Sequence, residues 1–214
     1  AAGIKPIIGC EVYVARRNMS DRVHGIDNDP YHLVLLCKNR QGYENLCRMV
    51  SEAFTSGFYG KPRVDLNLLR QYHEGLIATS ACLAGAIPQY LMEEDYAAAK
   101  DYAMKLAEIF GEDNFYLELQ DHGIEAQRPV NQGVMRLARE TGLPLIVTND
   151  AHYLRREDAA MQDVLLCIQT GKTVDDPNRM KFETEEFYLK SEEELRGLFP
   201  GCEEAFENTV RIAD

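Results

Sequence analysis

Short apolar runs rich in Ile, Val and Leu recur along this chain, separated by longer stretches whose apolar residues repeat at helical spacing. That alternation predicts strands lining a sheet and helices covering it, the α/β class. Strands are expected at Ile7 to Val14, His32 to Cys37, Leu76 to Ser80, Phe115 to Leu119, Leu145 to Thr148, and a short Phe187 to Lys190. Helices are expected near Gly42 to Ser56, Asp65 to Tyr72, Ala84 to Phe110 in one or two pieces, Glu125 to Thr141, and Glu157 to Thr170, with two more at the end. Ser191 followed by Glu194 spells a capping box, and Asp65 is suited to an N-cap. Gly111, Gly142 and Gly171 stand where helices should stop, and Pro144 cannot continue the helix before it.

With 214 residues and 45% hydrophobic content the chain can bury a substantial core, and no Ser/Gly-rich linker or internal repeat divides it. One domain over residues 1–214 is the expectation. Its longest apolar stretches, such as Leu143 to Val147, are far shorter than the ~20 residues of a membrane span, which makes the cytoplasm the default location. The chain opens on Ala-Ala-Gly without an initiator methionine and enters a strand almost at once, so a segment upstream is expected to be missing.

A formal charge of -12 means that the surface as a whole should repel nucleic-acid phosphates, so any DNA contact must be local or supplied elsewhere. The six cysteines include no C-x-x-C pair and lie mostly in apolar runs, which predicts reduced, packed thiols, with Cys82 set apart.

Polar groups that serve function gather beyond the carboxyl ends of strands that run the same way. In Thr148-Asn149-Asp150-Ala151-His152 an acid and an imidazole two residues apart on an extended stretch would project to one side and grip one ion; the alternative is a helix-capping Asp beside a surface His. Glu11 lies within Ile-Ile-Gly-Cys-Glu-Val-Tyr-Val, where burial without a partner is costly and a metal would resolve it, unless it faces solvent on an edge strand. His32 reaches the rim of Glu11 only if its strand returns antiparallel. Cys82 follows a strand end beside an expected helix start, where a thiolate is favoured, or it is simply packed. His122, in Gln120-Asp121-His122-Gly123, is either a catalytic or supporting group on the rim or a turn residue bonded to Asp121. Lys61 and Arg63, in a basic and aromatic loop, either contact phosphate or DNA or lie on an ordinary surface loop. His24 and His73 belong to no constellation.

Taken in order, Gly3-Ile4-Lys5-Pro6-Ile7-Ile8-Gly9-Cys10-Glu11, Tyr31-His32-Leu33, Gly57-Phe58-Tyr59-Gly60-Lys61-Pro62-Arg63, Phe115-Tyr116-Leu117-Glu118-Leu119 with Asp121-His122-Gly123, and Thr148-Asn149-Asp150-Ala151-His152-Tyr153 closely resemble the PHP (polymerase and histidinol phosphatase) domain of bacterial DNA polymerase III alpha subunits. Gln169-Thr170-Gly171-Lys172, Asp176-Pro177-Asn178-Arg179 and Tyr188-Leu189-Lys190-Ser191 extend the resemblance almost to the last residue.

The resemblance implies a distorted seven-stranded β/α barrel, here incomplete and missing its first strands, with divalent metal ions at the carboxyl rim. Zinc or manganese is expected, with up to three ions in a complete domain. Glu11 and His32 match the family's third motif, Cys82 its frequent cysteine ligand, and Asp150 and His152 its final motif. The implied activity is metal-dependent 3′-5′ exonuclease hydrolysis of DNA, within a DNA-directed DNA polymerase that works in DNA replication with other replicase subunits, the proofreading exonuclease among them. The alternatives are a scaffold without catalysis that binds the proofreading subunit, or a free-standing PHP phosphatase. The family's opening H-x-H, and the Asp and His of its second motif, have no counterpart among these residues, so the fragment alone is expected to bind metal partially and to catalyse little.

Overall fold

The computed structural model describes residues 3–214. Six strands, β1 (Gly9–Val14), β2 (Tyr31–Cys37), β3 (Arg63–Val64), β4 (Leu76–Thr79), β5 (Phe115–Leu119) and β6 (Leu145–Val147), form one sheet in the order β3-β1-β2-β4-β5-β6. Strand β2 runs antiparallel to both of its neighbours, and the other pairings are parallel. The antiparallel return required for His32 to reach Glu11 is therefore present.

The helices are α1 (Arg40–Thr55), α2 (Leu66–Tyr72), α3 (Ala86–Met92), α4 (Tyr96–Phe110), α5 (Gln127–Thr141), α6 (Ala159–Thr170), α7 (Glu192–Leu198) and α8 (Glu203–Ala213). Their ends follow the local chemistry. Asp65 accepts from the N–H groups of Asn67 and Leu68, Ser191 and Glu194 cap each other reciprocally, and Gly142 and Gly171 close α5 and α6 in the left-handed conformation.

Alternation along the strands divides the sheet into two chemically different faces. Val12, Val14, Leu33, Leu35, Ala78, Phe115, Leu117 and Leu119 join the helices in one apolar cluster that runs from Val12 to Phe206. The opposite face carries a small apolar group, Ile77, Tyr116 and Ile146, and above it the polar side chains considered below.

Among the described residues the sheet is open and six-stranded, with β3 and β6 at its edges, and it shows neither the barrel closure nor the seventh strand that the resemblance implies for a complete domain. Two expectations change. Phe187 to Lys190 is not a strand; only a single bridge joins Tyr153 and Tyr188, because the surrounding chain over residues 171–190 wraps without regular structure. Of the cysteines, only Cys167 is fully buried and Cys47 is exposed, since an apolar run on a two-sided helix still turns some of its residues outward.

Candidate metal centre

The β1–β2 ladder places Tyr13 opposite His32 and Glu11 opposite Val34, so Glu11, Tyr13 and His32 share the polar face of the sheet. The turn after β4 brings Cys82 to them. His32 Nδ1 lies 3.0 Å from Glu11 Oε1 and 3.6 Å from Cys82 Sγ, and the ligand atoms of all three lie within 4.8 Å of one another. Tyr13 meets the His32 ring edge-on, with centroids 5.3 Å apart.

These spacings fit an ion. Bonds of about 2.0–2.3 Å arranged tetrahedrally put neighbouring ligand atoms roughly 3.3–3.8 Å apart, close to what the three side chains already adopt. Carboxylate, imidazole and thiol together form the mixed donor set expected for a transition ion, and three protein ligands leave a coordination position open. The reason for Glu11 differs from the one its sequence suggested: its side chain is 40% exposed, so burial alone does not demand a metal. Cys82 likewise stands three residues before Gly85, the N-cap of α3, and its neighbour is His32 rather than the helix end.

Asp150 and His152 form a second pair, with His152 Nε2 3.5 Å from Asp150 Oδ1. The chain between them is not extended, because Asp150 has φ 44, in the left-handed region. Asn149 anchors the turn, exchanging hydrogen bonds with the backbone of Lys190. The pair stands outside the three-residue group, yet it shares its electric field. Burial raises the Asp150 pKa, but the hydrogen bond from His152 and the charges of His152, His122 and His32 outweigh it and hold the carboxyl below its usual range. The hydrogen bond to Asp150 raises the His152 pKa, and the charge of Glu11 adds to that effect.

His122 and Arg63 are not where their sequence context placed them. His122 is 1% exposed and stacked on Phe187 with centroids 4.2 Å apart. The Gln127 amide donates to its Nδ1, which leaves the proton on Nε2 to donate to the Asn149 carbonyl. Both nitrogens are thus engaged within the protein, burial depresses the ring's pKa, and the bond to Asn149 braces the turn before Asp150. Arg63 is 0% exposed; its guanidinium donates to the carbonyls of Gly57, Asp27, Met19 and Asp21, so no exposed donor remains for a phosphate. Lys61 differs: it is exposed, with Nζ 5.1 Å from the Tyr13 ring centre, next to the site.

Sequence reasoning missed Glu118, Gln120, Thr79 and Thr148. Glu118 lies on the same sheet face and is 7% exposed, hydrogen-bonded to both threonine hydroxyls, the Gln120 amide and the Ala81 N–H. The signal was available: Phe-Tyr-Leu-Glu-Leu is an acid within a buried strand, the same argument that singled out Glu11.

Without an ion, hydrogen bonds to Cys82 and to Glu11 push the His32 pKa up to about 10 against the opposing effect of burial. At neutral pH an entering ion must displace that proton. Metal affinity should therefore climb between about pH 6 and pH 8, by up to about tenfold per unit for each proton displaced, one from His32 and another from the Cys82 thiol as it ligates. Competition titrations across that range check it; a flat profile would mean that His32 does not ligate.

The PHP domain family model matches residues 1–122. The chain is 50% identical over 214 residues to the DNA polymerase III subunit alpha of Treponema pallidum, covering all of this chain and 18% of that protein. The corresponding protein of Borreliella burgdorferi is 48% identical, again over the whole chain and 19% of the relative. That of Thermus aquaticus is 46% identical over 218 residues, with all of this chain and 18% of the relative covered. The chain thus spans less than a fifth of the length of these relatives. With the family model covering more than half of its residues, the chain belongs to the PHP domain family.

Proposed function

We propose that this chain is the PHP part of the alpha subunit of a replicative DNA polymerase III, and that its polar sheet face is a divalent-metal centre for 3′-5′ hydrolysis of DNA phosphodiesters. The observation that carries this reading is the approach of Glu11, His32 and Cys82 to within 4.8 Å, in a chain 50% identical to such subunits. Glu11, His32 and Cys82 hold one ion, and Asp150 with His152 contributes to a neighbouring one. Zinc or manganese suits these donors, with up to three ions once the family's remaining ligands are supplied. Bound ions would lower the pKa of a water and hold phosphate oxygens as charge develops.

The chain's own residues do the positioning. Tyr13 backs the His32 ring and so limits its rotation. His122 and Asn149 hold the turn that presents Asp150. Lys61, the exposed cation beside Tyr13, receives a backbone phosphate of the DNA end, a local attraction on a surface whose net charge is -12. Partners follow from the same reading: DNA, and other replicase subunits including the proofreading exonuclease.

The test compares the 214-residue chain with the full-length protein, by metal analysis and by release of nucleotides from a 3′ end. The full-length protein should bind its full complement and hydrolyse; the chain alone should bind partially and hydrolyse little. A full-length protein free of both zinc and manganese, and inert when either is added, would overturn the proposal.

A further inference from the structure

Glu118 is a buried carboxylate for which ligand binding as described above has no use. It is 7% exposed, sits on β5 between β4 and β6, and makes no ion pair with Lys, Arg or His among the described residues. Burying a carboxylate without a counter-charge is costly. The carboxylate is kept in place by hydrogen bonds that divide between two sides. Oε2 accepts from the Thr79 hydroxyl and, at 3.0 Å, from the Ala81 N–H; Oε1 accepts from the Thr148 hydroxyl and, at 3.0 Å, from the Gln120 amide.

Each side leads to a ligand. Ala81 immediately precedes Cys82, and Thr148 stands two residues before Asp150. Both turns are strained: Ala81 has φ 60 and Asp150 φ 44, and only Glu94 joins them as non-glycine residues with positive φ among the described residues. Such conformations persist where their surroundings over-determine them. Cys82, Glu118 and Gln120 also line one small cavity.

We infer that Glu118 is a positioning residue, whose two oxygens tie the Cys82-bearing turn to the Asp150-bearing turn and so set the spacing of the metal centre. The inference rests on the metal-centre reading proposed above.

The test uses Co²⁺ as the probe in the full-length protein, reading affinity and the cobalt–thiolate charge-transfer band beside thermal stability. Glu118→Gln should weaken Co²⁺ binding about 10–100-fold and alter the band, because both links are disturbed. Thr148→Val cuts only the β6 link; it should weaken affinity while leaving the thiolate band unchanged, and Thr148→Ser, which keeps the hydroxyl, should restore affinity. Wild-type affinity and band in both Glu118→Gln and Thr148→Val would overturn the inference, as would losses that merely parallel a loss of stability. Should Glu118→Gln fail to fold, the Thr148 pair decides alone, and equal affinity in Val and Ser variants overturns it. Absence of any cobalt–thiolate band in the wild type would instead sink the metal-centre reading, and this inference with it.

Discussion

Asp150→Asn in the full-length protein should reduce 3′-5′ hydrolysis of DNA by at least about 100-fold while nucleotide incorporation continues. The substitution suits the question because Asn tolerates the left-handed backbone that Asp150 adopts at φ 44, so the turn should persist. What disappears is a carboxylate charge that lies 3.5 Å from His152 and feels His32. On the proposed metal-centre reading its loss removes a ligand, and it releases His152, whose raised pKa depends chiefly on that partner, so the imidazole should titrate closer to its ordinary value. The measurement is single-turnover hydrolysis of a labelled primer, with metal content determined on the same sample. Hydrolysis within a few-fold of wild type, at undiminished metal content, would favour a structural PHP domain without chemistry of its own.

The second large effect concerns stability. Arg63→Met should destabilise the chain by about 3–5 kcal/mol, since it leaves four backbone carbonyls without their charged donor in a site that water reaches poorly. Those carbonyls belong to Met19, Asp21, Asp27 and Gly57, so one guanidinium fastens the long polar loop after β1 to the segment before β3. Asp27, itself 1% exposed, meets Arg17 through two hydrogen bonds of 3.0 and 2.6 Å and extends the same network. Lys61→Met, two residues away but exposed, should change stability by less than about 0.5 kcal/mol and instead weaken binding to a DNA end. Urea unfolding of the two variants separates these roles; equal midpoints would show that the Arg63 carbonyls find water when the guanidinium is removed.

Much of the architecture was readable from residue order. Hydrophobic periodicity placed five of the six strands and the helices α1, α2, α5 and α6 to within a few residues, covered α3 and α4 with one undivided stretch, and foresaw two terminal helices without their bounds, because the core-facing side of a strand and the inner stripe of a helix must be apolar to pack. The two-residue β3 escaped, since Arg63-Val64 has no period to detect, and Phe187 to Lys190 was overread because an apolar, aromatic run also suits a wrapping segment that covers His122 and His152. Resemblance in ordered segments pointed to the family that the comparison then showed.

Residue identity alone determined which side chains could serve as donors: carboxylates, imidazoles and a thiol on or just after strands, each of a type that binds ions. Only tertiary structure decided which of them meet. Glu11 and His32 approach because β2 returns antiparallel, Cys82 joins them through a left-handed turn, and Arg63 withdraws into the interior where backbone carbonyls claim it. Local sequence specifies which bonds a side chain is able to make, whereas the partner available to it is set by strands far away in the chain, through a register that no short window of residues contains.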